Sequence, residues 1–75
     1  MFKRNEIVEE LACDPRYNFL TRIVRRCSEP GMEDWWHTRE IPDSPERAAE
    51  LKRCAALGYT GMLVHQNQLR KISNR

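Results

Sequence analysis

The chain has 75 residues, of which 40% are apolar and 32% are charged, and its formal net charge is +2. That length allows one small domain and excludes a deep substrate pocket, while the composition is that of an ordered globular chain rather than a disordered one. No membrane span or signal peptide is predicted, and three widely spaced cysteines do not fit a secreted disulfide scaffold, so we expect a reducing cytoplasm.

The first predicted helix lies near residues 5–13. Its apolar side chains, at Ile7, Val8 and Leu11, have the spacing of one helical face. Glu6, Glu9 and Glu10 lie on the other face, so we expect this helix to present an acidic surface to solvent.

The second predicted helix lies near residues 15–28. Asp14 followed by Pro15 is typical of a helix start, because the carboxylate caps the first turn and proline fits the first position. The apolar stripe that follows comprises Tyr17, Leu20, Ile23, Val24 and Cys27. Since free cysteine behaves as a small hydrophobe, we expect Cys27 to pack in the core rather than bind a metal.

Three arginines lie on the opposite face of this predicted helix. Arg22, Arg25 and Arg26 have the spacing i, i+3, i+4, and no carboxylate lies within the predicted helix beside them. They form either a basic patch for a partner or an ordinary solvated face.

The only two tryptophans, Trp35 and Trp36, are adjacent. Neighbouring side chains point about 100° apart on a helix and in opposite directions on a strand, so at most one ring can face a small core. Aromatic and arginine side chains are the usual anchors of protein interfaces. We therefore expect one ring in the core and the other at the surface, as a candidate anchor.

The third predicted helix lies near residues 45–57. Ser44 is a good N-cap, Pro45 suits the first position, and Gly58 is expected to end the helix in the left-handed conformation. Two short β-prone stretches follow and predict a β-hairpin near residues 59–72. The predicted fold class is thus a single domain, mainly α with three to four helices and a small C-terminal hairpin.

The segment from Thr38 to Ile72, above all the sequence "LKRCAALGYTGMLVHQNQLRKIS", resembles the second half of a winged helix-turn-helix domain. The resemblance implies a one-turn helix over residues 39–41 capped by Thr38, a recognition helix from Pro45 to Leu57, and a β-wing from Tyr59 to Ile72.

A winged helix would make the chain a small DNA-binding regulatory protein of a phage or mobile element, acting as a homodimer or with a partner. The resemblance implies contacts with double-stranded DNA at Arg47, Lys52, Arg53, Arg70 and Lys71. Residues 51–75 carry five Lys/Arg and no acid, which favours contact with phosphate. Glu46 and Glu50 on the third helix oppose it.

The alternative belongs to another functional class, a small modulator that binds the acidic surface of a larger host protein. Its contact residues would be Trp35, Trp36, Arg22, Arg25 and Arg26. An enzyme is not expected, because the chain lacks a glycine-rich phosphate loop, a nucleophile elbow and paired carboxylates in an apolar setting. No cofactor or metal is expected either, since no close pair of Cys or His ligands occurs.

Overall fold

A computed structural model describes residues 1–72 of the chain. This part contains the strands β1 (Ile7–Glu10), β2 (Phe19–Arg26), β3 (Trp35–Glu40), β4 (Met62–His65) and β5 (Leu69–Lys71), the helix α1 (Pro45–Ala56), and two 3-10 turns (Pro15–Tyr17 and Gln66–Gln68). The fold is therefore mainly β, and the predicted mainly α class is wrong.

The strands form one antiparallel sheet in the order β4-β3-β2-β1-β5. Although β4 and β5 are consecutive in the chain, they lie at opposite edges of the sheet. Five flat strands would hold the edges about 19 Å apart, whereas the three-residue 3-10 turn between them spans about 6 Å. The sheet must therefore curl, so that the end of β4 approaches the start of β5.

The core lies on the inner, concave side of the curled sheet. Each strand contributes one buried apolar side chain to a single cluster: Val8, Ile23, Trp36, Val64 and Leu69. The ring of Phe2 packs on Trp36 in an edge-to-face arrangement, with the two ring centroids 5.4 Å apart. Trp36 is the largest member of this core, and only 4% of it is exposed.

The helices predicted near residues 5–13 and 15–28 are replaced by β1 and β2. The start signal at Asp14 was correctly identified, since its side chain accepts the Arg16 N–H at 3.0 Å. The turn that it caps, however, is a single 3-10 turn that ends at Tyr17. A local capping signal thus predicted where a helix begins but not how far it extends.

Strand β2 shows why the helical pattern was misleading. Thr21 and Ile23 are fully buried, whereas Leu20, assigned to the apolar stripe, is 44% exposed. The same sequence therefore also contains a two-residue alternation, and its β-branched residues favour a strand. Pairing with β1 on one side and β3 on the other selects the strand. Cys27 just beyond β2 is buried, as predicted.

The resemblance to a winged helix is also wrong. That fold needs about three helices, and residues 1–72 contain one α-helix. Thr38, expected to cap a one-turn helix over residues 39–41, is a buried residue inside β3. The predicted hairpin near residues 59–72 does not form, because β4 pairs with β3 and β5 pairs with β1.

The third predicted helix is confirmed as α1. Ser44 Oγ accepts the Arg47 N–H at 3.1 Å, and Gly58 follows the helix with a positive φ of 96°. No residue of α1 is buried, so the helix lies on the surface of the sheet domain. Across the described chain, no helix has the length and apolar character that a bilayer crossing requires.

Candidate binding face

The side of the sheet opposite the core carries an unusual set of side chains on β3. Trp36 and Thr38 point inwards and are buried. Side chains alternate along a strand, so Trp35, His37 and Arg39 all point to the outer side. Strand β3 therefore presents an aromatic ring, an imidazole and a guanidinium in one row.

Strand β2 adds two arginines to the same outer side. Arg22 lies directly opposite Arg39 in the β2–β3 register, and Arg25 lies directly opposite His37. Residues three apart on a regular strand would point to opposite faces, but the register shifts between Ile23 and Arg25. This irregularity brings Arg22 and Arg25 to one face. We call Arg22, Arg25, Trp35, His37 and Arg39 the basic outer face.

The cations of the basic outer face lack acidic neighbours. Within residues 1–72, no carboxylate lies within ion-pair distance of Arg22, Arg25 or Arg39. Arg22 donates a hydrogen bond to the carbonyl of Asn5 at 3.1 Å, which leaves its charge uncompensated. Like charges directly opposite each other destabilise a sheet. The Arg22–Arg39 pair therefore costs stability unless an anion lies over it.

The two tryptophans lie on opposite sides of the sheet. Trp36 faces the core, where the Arg26 guanidinium lies 5.1 Å from its ring centroid. Trp35 is half-buried on the outer side, and its ring meets that of His65 edge-to-face with the ring centroids 5.2 Å apart. Trp35 is thus held in place by its neighbour while part of it remains open to a partner.

An open groove of about 450 Å³ borders the basic outer face. Arg25, His37 and Arg39 line one wall, and Tyr59 and Leu63 line another. The groove therefore combines positive charge with apolar and aromatic surface, which suits an acidic side chain carried on a larger partner.

A second groove of about 480 Å³ lies near α1, and the two arginines that line it, Arg16 and Arg47, are ion-paired with carboxylates. Its Arg47 donates to both carboxylate oxygens of Glu40 at 2.6 and 2.7 Å and to Glu50 at 2.7 Å. These bonds raise the pKa of the Arg47 guanidinium above its ordinary value, chiefly through Glu40. Arg47 thus fastens α1 to β3 rather than offering a free cation.

Three of the five cations expected to contact DNA are already paired with acidic residues. Arg70 is hydrogen-bonded to Glu9, and this bond is the main cause of the lowered pKa of that carboxyl. Lys71 lies 3.5 Å from a Glu6 oxygen and over the ring of Phe2. With Arg47 also paired, only Lys52 and Arg53, both exposed on α1, lack an acidic partner within residues 1–72.

The acidic residue Glu9 also separates the two basic regions. It lies between Leu20 of β2 and Arg70 of β5 in the sheet register. The C-terminal cations and the arginines of β2 therefore do not merge into the continuous positive stripe that a DNA backbone requires. Arg75, also counted among the C-terminal cations, lies outside the described residues.

The residues expected to bind a protein partner are partly brought together. Arg22, Arg25 and Trp35 share the outer side of the sheet, whereas Arg26 and Trp36 contact each other on the inner side. The sequence interpretation missed His37 and Arg39. Their signal was the two-residue alternation in "WWHTRE", which places every second residue of this strand on one face.

A small polar group lies within the core. Glu10 Oε1, Thr21 Oγ1 and Thr38 Oγ1 are buried without a hydrogen-bond partner in the described protein. Burial, and secondarily the charge of Glu40, raises the pKa of the Glu10 carboxyl. Thr38 lines the groove of about 450 Å³, whereas Glu10 lines neither of the two grooves.

Metal ligands and related proteins give no further information about the site. Among residues 1–72, no group of three or more His, Cys, Asp or Glu side chains is arranged to hold a metal ion. Cys13, Cys27 and Cys54 are all free thiols. Comparison with protein-family models, curated proteins and solved structures finds no match for this chain. The function is therefore inferred from the geometry of the basic outer face.

Proposed function

We propose that this protein is a small protein-binding module, not an enzyme, that docks on the acidic surface of a partner through its basic outer face. The observation that carries the proposal is the cross-strand pair Arg22–Arg39, with Arg25 beside it and no carboxylate partner within residues 1–72. The free thiols support a reducing compartment such as the cytoplasm.

An acidic protein surface explains more of this face than a nucleic acid does. Exposed aliphatic side chains accompany the arginines, with Ile7 40% and Leu20 44% exposed. Aliphatic groups gain little from a phosphate backbone but pack well against another protein. Trp35 supplies the aromatic anchor that is typical of interface centres.

The expected energy follows from the number of charges. An exposed ion pair contributes about 0.2–1 kcal/mol, so three arginines together supply about 0.6–3 kcal/mol. Relief of the repulsion between Arg22 and Arg39 adds a few tenths of a kcal/mol. Removing the three charges should therefore weaken binding about tenfold or more, since 1.4 kcal/mol is a factor of ten.

The test compares two triple variants of equal net charge. In the first, Arg22, Arg25 and Arg39 are all changed to Gln. In the matched control, Arg4, Lys52 and Arg53 are changed to Gln; these side chains are also exposed but lie elsewhere. Binding to a labelled polyglutamate probe is measured by fluorescence anisotropy at several salt concentrations, with duplex and single-stranded oligonucleotides measured in parallel.

We expect the first variant to lose about tenfold in affinity for polyglutamate and the control to lose less than threefold. Equal losses in both variants would show that only the net charge matters and would refute a defined face. Oligonucleotide binding that exceeds polyglutamate binding at equal ionic strength, and that the first variant abolishes, would identify a nucleic acid as the partner instead.

A further inference from the structure

Strand β4 forms one edge of the sheet, and its open side is well defined. Gln66 donates its N–H to the Asp34 carbonyl at 2.8 Å, directly beyond the last β3–β4 register pair. Bonded pairs recur at every second residue of an antiparallel ladder. Met62 and Val64 therefore direct their backbone groups towards β3, whereas Leu63 directs its N–H and C=O away from the sheet.

In the described part of the chain, the open side of β4 is not hydrogen-bonded to another strand, although the curl of the sheet brings the start of β5 close to its His65 end. Within residues 1–72, β3 is the only strand paired with β4. The helix that precedes β4 buries none of its residues. A free edge of this kind can pair with an extended segment of another chain through backbone hydrogen bonds.

Exposed apolar side chains are concentrated beside this edge. Leu57 is 75% exposed, Tyr59 73%, Met62 49% and Leu63 39%. These residues lie within one short segment that leads from α1 into β4, and Tyr59, Met62 and Leu63 also line the groove of about 450 Å³. An added strand would cover apolar surface as well as backbone groups, which is what strand addition needs for affinity.

Charge indicates which chain would occupy the edge. Residues 51–72 include four Lys/Arg and no Asp or Glu. A second copy of this chain would bring strand Met62–His65, which has no Asp or Glu, and would gain no electrostatic attraction at this edge, whereas an acidic segment would be attracted. Arg25 and Arg39 line the groove that β4 borders, so they extend the positive potential towards the edge.

We propose that β4 accepts an extended acidic segment of the partner protein as a sixth strand, paired with the outward backbone groups of Leu63. This inference rests on the proposed function, because it specifies how the partner of the basic outer face is held. Main-chain hydrogen bonds supply affinity in such complexes, and the side chains that flank the edge supply specificity.

The test removes a backbone donor without removing charge. Leu63→Pro deletes the outward N–H, which β3 does not use, and proline is tolerated on the open side of an edge strand. Leu63→Ala is the matched control, because it shortens the side chain but keeps the donor. The probe is a labelled ten-residue peptide of alternating Glu and Val, used also in a form that is N-methylated at every second residue.

We expect Leu63→Pro to weaken peptide binding tenfold or more and Leu63→Ala to weaken it less than threefold. The N-methylated peptide should bind the unmodified protein at least tenfold more weakly than its parent. This second comparison remains decisive if Leu63→Pro does not fold, which far-ultraviolet circular dichroism reports.

Other outcomes separate the two proposals. If the N-methylated peptide binds as well as its parent while the Arg22, Arg25 and Arg39 triple variant loses binding, strand addition is wrong and the proposed function stands. If both comparisons leave affinity unchanged, or the peptide does not bind at millimolar concentration, both ideas fail. A concentration-dependent dimer that Leu63→Pro abolishes would show that a second copy occupies the edge, which also overturns the inference.

Discussion

Replacing each tryptophan in turn tests the division of the sheet into a core side and an outer side. Trp36 is 4% exposed in the core, whereas Trp35 is half-buried on the outer side. Burial of one tryptophan removes about 150–250 Å² from water, which at about 25 cal/mol per Å² corresponds to about 4–6 kcal/mol. Trp36→Ala should cost about 3–5 kcal/mol, the usual range for such truncations.

This cost is comparable to the whole stability of the domain. A chain of 75 residues has a free energy of unfolding of about 4–11 kcal/mol, at about 0.05–0.15 kcal/mol per residue. Trp36→Ala should therefore remove between about a quarter and all of this stability. Trp35→Ala loses mainly its edge-to-face contact with His65, worth about 0.5–1.5 kcal/mol, and should remain folded.

The assay is urea denaturation followed by far-ultraviolet circular dichroism. Trp36→Phe is included because it retains a ring and should unfold at a measurable denaturant concentration even if Trp36→Ala does not fold. The single tryptophan that remains can then be compared by fluorescence quenching with acrylamide. Trp36 in Trp35→Phe should be protected, and Trp35 in Trp36→Phe should be quenched.

Equal losses of stability in Trp35→Ala and Trp36→Ala would refute the assignment of the two sides. Equal protection of Trp35 and Trp36 from acrylamide would refute this assignment as well. Either result would also remove Trp35 as an aromatic anchor, because a ring buried in the core cannot contact a partner.

Two further predictions concern charge. Arg39→Gln should raise the free energy of unfolding by about 0.2–1 kcal/mol at low salt, because Arg22 then has no like charge opposite it. This gain in stability should shrink in 1 M salt, where the Debye length is about 3 Å. The control Lys52→Gln should show no such gain. An Arg39→Gln protein that is less stable than its parent would contradict the repulsion between Arg22 and Arg39. Glu10→Gln should be more stable than its parent at pH 7 and no more stable near pH 4. The pKa of Glu10 is raised in the folded state, chiefly by burial. The contribution of Glu10 to the free energy of unfolding is therefore fully present below the unfolded pKa of about 4.3 and is lost as pH rises through the folded pKa. Urea titrations at the two pH values measure this, and an equal effect at both would contradict a buried, neutral-preferring carboxyl.

The proposed interface has a cost that a purely structural surface would avoid. Arg22 and Arg39 repel each other, and an irregularity in β2 is needed to place Arg25 beside them. A protein under selection for stability alone gains nothing from this arrangement. Binding sites commonly retain such locally unfavourable features.

The local, short-range features of this protein follow from its sequence. Ser44, Pro45 and Gly58 specify the limits of α1, and Asp14 specifies a turn, because caps depend on a few adjacent residues and on backbone preferences. Adjacent tryptophans on any regular element point apart, so the split between Trp35 and Trp36 also followed from the sequence. The sequence did not determine which of the two rings faces the core.

Only the tertiary structure decided between helix and strand for β1 and β2. The apolar residues of β2 also fit a helical period, and a strand becomes favourable only when partners far along the chain complete its hydrogen bonds. Pairing also set the register that brings Arg39 opposite Arg22 and leaves β4 and β5 at opposite edges. The basic outer face is therefore a product of long-range pairing, because no stretch of sequence contains it.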